Sequence, residues 1–198
     1  MTHEQPVLWL VRHGETAWTV SGRHTGRTDI GLTARGERQA VALGRRLGGQ
    51  SFTLVLTSPL ARARDTCRLA GYGSMAAVEP DAQEWDYGRF EGMTSAQIRA
   101  LHPSWSLWED GAPDGETIGD VTDRADRLIA RVARAGGSVA LFAHGHVLRL
   151  LAARWIGLPP SAGGSFALDT ASVSLLAVER GQAVIRHWNQ VCHLESES

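Results

Sequence analysis

Short apolar runs alternate along this chain with stretches whose apolar residues recur at helical spacing. The run Val7 to Val11 is partly β-branched and stops at Arg12, His13, Gly14 and Glu15, the pattern of a buried strand ending in a polar loop. Thr33 supplies an N-cap, and Ala40, Leu43, Gly44 and Leu47 then fall at helical spacing until Gly48 and Gly49 end the helix. Phe52 to Leu56 reads as a second strand closing on Thr57, Ser58 and Pro59, and a helix over Leu60 to Ala70 puts Arg62 in its first turn.

A weaker strand over Ala76 to Val78 leads into an irregular, turn-rich stretch from Pro80 to Gly92. Ile118, Val121, Ala125, Leu128, Ile129 and Val132 follow the i, i+3, i+4 template of an amphipathic helix, which Gly136 and Gly137 end. Val139 to Ala143 is a buried strand delivering His144, and Val147 to Ile156 a helix stopped by Gly157 and Pro159. Val173 to Val178 pairs with Ala183 to Trp188 across Arg180 and Gly181 as a hairpin. Alternating strands and helices predict an α/β fold, a three-layer α/β/α sandwich with a mostly parallel central sheet. The length suits a single domain over 1–198.

Composition narrows the chemistry. The chain has 20 cationic side chains and none is lysine, so Schiff-base and P-loop lysines are excluded and any phosphate must be held by Arg, His or backbone amides. A net charge of -1 gives no basic field for nucleic acid or an anionic membrane. Cys67 and Cys192 lie far apart without a C-x-x-C pattern, so reduced thiols are expected. A polar N-terminus and the absence of a long apolar stretch predict a cytoplasmic protein.

Three predicted strands end in polar clusters: Arg12 with His13, Ser58 with Arg62 one turn on, and His144 with Gly145. Ligands of open α/β sheets bind outside the carboxyl ends of the strands, so these groups should converge. Two arginines and two histidines beside helix N-termini suit a compact dianion such as a phosphoryl group. His144 and His146 at i, i+2 could suggest a metal pair, but no supporting Cys, His or carboxylate motif stands at useful spacing, so no metal is expected.

L-V-R-H-G-E-T-A-W at Leu10 to Trp18 resembles the signature of the histidine phosphatase superfamily, which includes cofactor-dependent phosphoglycerate mutases. The resemblance continues through Arg23, Thr25, Gly26 and Leu32-Thr33, S-P-L-A-R-A at Ser58 to Ala63, E-W-D-Y-G at Glu84 to Gly88 and A-H-G-H at Ala143 to His146. It implies that His13 attacks phosphorus, that Arg12, Arg62 and His144 clamp the phosphoryl oxygens, and that Glu84 protonates the leaving oxygen before water hydrolyses the phosphohistidine. No cofactor is implied. On this reading His13 must be neutral, His144 is most useful as a cation, and Glu84 starts protonated.

Thr19, His24, Thr25, Gly26, Tyr87, Gly145 and His146 are the candidate substrate-binding residues. Family members touch the phosphoryl group at Thr25 and the Gly26 amide, which places His24 beside the substrate. Tyr87 has a core reading as well, Trp105 and Trp108 read as packing or as the pocket mouth, and Gly111 to Glu116 as a pocket border or a plain turn. Thr19 stands where many members carry Asn, and His146 where mutase-like members often carry Asn. The stretch from Glu84 to His144 is shorter than in mutases. G-R-H-T-G-R-T-D at Gly22 to Asp29 and W-D-Y-G-R-F-E-G-M-T at Trp85 to Thr94 resemble the phosphatase branch, with acid-phosphatase-like and sedoheptulose-bisphosphatase-like members. The expectation is therefore a metal-independent phosphoric monoester hydrolase acting on small phosphorylated metabolites and releasing inorganic phosphate. A phosphoglycerate mutase and a non-catalytic phospho-ligand binder are the alternatives. The C-terminal edge strand is where two copies could pair into a homodimer.

Overall fold

The structure, a computed structural model, describes residues 5–197. Along the chain run β1 (Val7–Arg12), the single turn α1 (Ala17–Val20), α2 (Ala34–Leu47), β2 (Leu54–Thr57), α3 (Ala61–Leu69) and β3 (Ala76–Val78). After two 3-10 turns come α4 (Ser95–Leu101), the short α5 (Leu107–Asp110), α6 (Ile118–Ala135), β4 (Ser138–Ala143), α7 (Gly145–Trp155), a 3-10 segment (Pro160–Ser165), β5 (Val173–Glu179) and β6 (Gln182–Gln190).

The strands form one sheet in the order β3-β2-β4-β1-β5-β6. β3, β2, β4 and β1 pair in parallel, and β5 joins β1 antiparallel, as the fold class requires. Alternation along each strand splits the core between two faces. Leu8, Leu10, Leu56, Val139 and Leu141 pack toward α6 and α7, whereas Val11, Val55, Ala140 and Phe142 face Leu43 and Leu47 of α2 and Cys67 of α3. Helices on both faces complete the three layers.

α6 shows what fixes an element here. Thr117 and Asp120 make a capping box at its start, and Gly136 at φ 63 ends it. Burying Val121, Leu128 and Val132 stabilises it by about 1.5–3 kcal/mol each. Propensity differences of about 0.7 kcal/mol or less per residue are smaller, so the apolar stripe decides. The C-terminal hairpin turns on Arg180 (φ 52) and Gly181 (φ 79), the two left-handed positions that match strand twist in a tight hairpin.

Register places the site. Arg12 lies opposite Ala143 and Thr57 opposite Phe142, so His13, Ser58 and His144 leave the same edge together. The His13 amide donates to the Ala143 carbonyl at 3.0 Å and the Ser58 amide to Phe142 at 2.9 Å. The loop after His13 then crosses α2 through two glycines: a Cβ on Gly14 would meet the Gly36 carbonyl, and one on Gly36 would run into the Glu15 carbonyl.

α7 begins at Gly145, two residues before the predicted start, because His144 takes the extended N-cap conformation directly. α4 was absent from the expected elements, although Thr94 and Gln97 form a capping box at its start. Phe52 lies outside β2 and packs edge-on against Trp9 and Tyr72.

Candidate active site

A cleft of about 260 Å³ opens above the carboxyl ends of β1 and β4. His13 sits at its floor, 4% exposed, with its ring 5.1 Å from that of His144. His13 Nδ1 lies 2.7 Å from the Gly14 carbonyl, an acceptor only, so Nδ1 carries the proton. The lone pair is therefore on Nε2. Burial, then the charges of Arg62 and Arg12, push His13 well below its ordinary value of 6.5 and keep the ring neutral.

Arg62 is 0% exposed and nearly saturated. Its Nε donates to His144 Nδ1 at 3.1 Å, Nη1 to the Thr28 carbonyl, and Nη2 to the carbonyls of Thr25 and Gly26. One Nη1 proton is left for another acceptor. Since His144 Nδ1 accepts from a guanidinium, its proton sits on Nε2, which lies 2.8 Å from Ser58 Oγ. Burial and Arg62 push His144 well below its ordinary value as well. The expected divergence of the two histidines is thus not found: both are neutral, because both are buried and the same arginine stands against both.

Glu84 reverses its expected state too. Its carboxylate accepts the backbone amides of Trp85, His146 and Val147 at 3.0 Å each, the last two belonging to the first turn of α7. Burial raises this carboxyl, but the hydrogen bonds and charge of His146 outweigh burial and hold it well below the carboxylate range. Glu84 is an anion in the free enzyme.

Arg12 donates through Nη1 to the Leu168 carbonyl, while its buried Nε has no partner. A Cβ on Gly145 would lie 3.5 Å from this guanidinium and 3.7 Å from Glu84 Oε2, so Gly145 separates the two charges. Tyr87 is fully buried, and burial with nearby Glu84 pushes its hydroxyl well above 10. It keeps its proton and shares a hydrogen bond of 2.7 Å with His146 Nδ1. His24 stacks on His146 at 5.9 Å and meets Tyr87 edge-on at 4.8 Å.

Thr19, Thr25 and Gly145 line the cleft together with His24, Tyr87 and His146. Thr19 also closes a capping box with Thr16, and the Thr25 hydroxyl donates to the Arg23 carbonyl. Gly26 departs from expectation. Its amide is taken by both oxygens of Glu91, at 2.9 and 3.0 Å, and it is absent from the cleft lining. The partners of Glu91 lie too far back in the sequence for any local pattern to show them. Glu116 binds Arg124 and the Asp86 amide, so Gly111 to Glu116 buttresses the Glu84 loop and does not border the cleft. Arg149 lines the cleft and was not singled out by the sequence. Among the described residues no group of three or more His, Cys, Asp or Glu is arranged to hold a metal ion, and no helix is long and apolar enough to cross a membrane. Cys67 and Cys192 are free thiols.

The two depressed histidines couple stability to pH. An unfolded chain binds their protons below about pH 6.5 while the folded site refuses them, so their contribution is whole above that value and is lost as pH falls. Each such group adds a slope of up to about 1.4 kcal/mol per pH unit. Urea midpoints are expected to fall from pH 7 to pH 5, and to fall less steeply in His144→Gln. Identical pH slopes in the two proteins would contradict the neutral pair.

The family model described as "Histidine phosphatase superfamily (branch 1)" matches residues 8–191. An acid phosphatase of Mycobacterium tuberculosis is 42% identical over 178 residues, covering 88% of this chain and 87% of that one. A sedoheptulose 1,7-bisphosphatase of Saccharomyces cerevisiae is 35% identical, over 77% of this chain and 68% of its own. The solved structure of an open reading frame from Mycobacterium tuberculosis superposes with a TM-score of 0.88 at 38% identity, over 96% of this chain and 99% of that one. The chain belongs to the histidine phosphatase superfamily, and it is a phosphoric monoester hydrolase of that type.

Proposed function

We propose that this enzyme, acting as one domain in the cytoplasm, hydrolyses phosphate monoesters of small metabolites without a metal ion, through a phosphohistidine on His13 Nε2. The observation that carries this reading is the tautomer of His13. Its proton is committed to the Gly14 carbonyl, and its lone pair stands beside two arginines and a seated carboxylate.

In this reading the phosphoryl group lies between Arg12 and Arg62, with the unpartnered Arg12 Nε and the spare Arg62 proton as donors. The His144 Nε2 proton, shared with Ser58, is a third. His13 Nε2 attacks phosphorus and the ester P–O bond breaks. The dianion placed against Glu84 raises its carboxyl, so a proton is taken up with substrate and passes to the leaving oxygen. Glu84 then removes a proton from water, which attacks the phosphohistidine. The N–P bond breaks, and inorganic phosphate and neutral His13 are regenerated. Transfer back to a second acid would need that acid bound while water is excluded, whereas hydrolysis needs only water access. Pairing of two copies through β6, an edge strand, is the assembly this reading favours.

The test is phosphate release from glucose 6-phosphate and an aryl phosphate in excess chelator, beside a mutase assay primed with bisphosphoglycerate. Release unaffected by chelator is expected. Release that requires added divalent ion, or mutase turnover with negligible phosphate, would overturn the reading.

A further inference from the structure

Arg149 lies about one helical turn beyond Gly145 on α7, roughly 6 Å further along the axis from the phosphoryl end. Its guanidinium is held on three sides. Nε donates to the Gly163 carbonyl and Nη2 to Gly164, both at 2.9 Å, and the Trp108 ring covers it with its centroid 4.9 Å away. The cradle needs those two glycines. A Cβ on Gly163 would come within 2.7 Å of Trp108 Cζ3, and one on Gly164 within 3.0 Å of Trp108 Cδ1.

So fixed, Arg149 has no carboxylate partner among the described residues, and none of them accepts from Nη1. Burial pushes its guanidinium below the ordinary value without approaching neutrality at physiological pH. Glu84 is the only carboxylate among the residues lining the cleft, and three backbone amides already claim it. Against it stand Arg12, Arg23 and Arg149 among the lining residues, and Arg62, fully buried against His144. A phosphoryl dianion on His13 is matched by Arg12 and Arg62, which leaves Arg23 and Arg149 against the single charge of Glu84, so one positive charge remains for a further anion. A guanidinium serving only to tie down the 160–165 segment would have no reason to face the cleft.

We propose that Arg149, held between Trp108 and the Gly163 and Gly164 carbonyls, is a specificity-determining residue that binds a second anionic group on the substrate. The preferred substrates are small phosphate monoesters that carry a further phosphate or a carboxylate. This rests on the phosphatase reading above. Arg149 is pre-ordered, so little side-chain entropy is lost on binding and planar two-point recognition of the anion is available.

Binding in His13→Ala separates this idea from turnover. Dissociation constants are measured for glucose 6-phosphate against glucose 1,6-bisphosphate, and for glycerol 3-phosphate against 3-phosphoglycerate. The members of each pair differ at one position, in the first by an added phosphate and in the second by a carboxylate in place of a hydroxymethyl. At least one second anion should tighten binding by roughly tenfold or more, and which pair responds identifies it as phosphate or carboxylate. In His13→Ala/Arg149→Gln that advantage should fall below about threefold. Arg149→Lys, which keeps the charge and the stem but cannot make both carbonyl contacts, should give an intermediate ratio and serves if the Gln variant folds poorly. An unchanged ratio in the Arg149 variants, or no advantage in either pair to begin with, overturns the assignment. Hydrolysis of glucose 6-phosphate by the intact enzyme reports the phosphatase reading independently.

Discussion

Replacing His13 by alanine is expected to lower kcat by at least about 10⁴-fold and to abolish acid-labile labelling from radioactive substrate. The size follows from losing a covalent step, where removal of one nucleophile costs about as much as dismantling the whole constellation. Arg12, Arg62 and Glu84 stay in place, so phosphate should still bind. Stability supplies a second reading of the same variant. Relative to the intact enzyme, His13→Ala should gain below pH 6.5, because the unfolded chain no longer takes up a proton that the folded site refuses. Acid-labile label retained in the variant would remove His13 from the nucleophile's place.

Arg62→Met is expected to fail in two ways at once. The guanidinium is wholly buried, and its loss strands the carbonyls of Thr25, Gly26 and Thr28 together with His144 Nδ1. Buried acceptors without donors cost about 1–3 kcal/mol each, partly offset here because a buried cation no longer has to be desolvated. A net loss of about 3 kcal/mol is expected in urea unfolding. Activity should fall about 10³-fold further than stability explains, since one phosphoryl donor and the loop at residues 25–28 go together. A second readout is the pH profile: without Arg62 against them, His13 and His144 should titrate closer to 6.5, moving the acid limb of kcat/KM upward. A stable protein with an unmoved acid limb would show that Arg62 does not set the histidine charge. Arg62→Lys should rescue little, because one ammonium cannot reach acceptors arranged around a planar fork.

The central strands β1, β2 and β4 were legible because each is largely buried and reads as a continuous apolar run between turn signals, with its polar cluster at the carboxyl end. The helices were legible where a long stripe set the phase, as in α6. The short α4 was overlooked although Thr94 and Gln97 carried a capping signature, since seven residues give too few repeats for periodicity. Arg149 was invisible for a different reason. On α7 it reads as a polar position of a helix, and its meaning comes from Trp108 and the carbonyls at 163 and 164, brought from separate loops. The Gly26 amide was misread for the same reason: its acceptor, Glu91, arrives from a distant turn.

What the sequence determined by itself was the order of elements, the parallel sheet they imply, and the convergence of Arg12, His13, Ser58, Arg62 and His144 at one edge. These follow from periodicity and chain direction, which are local properties. What only the tertiary structure decided was the charge and the availability of each group. Burial and then Arg62 hold His13 and His144 neutral together, His146 keeps Glu84 ionised against its burial, Glu91 takes up the Gly26 amide, and Arg149 has no carboxylate partner among the described residues. Protonation and donor availability depend on desolvation and on the distances between charges drawn from every part of the chain, so they exist only once the chain is packed.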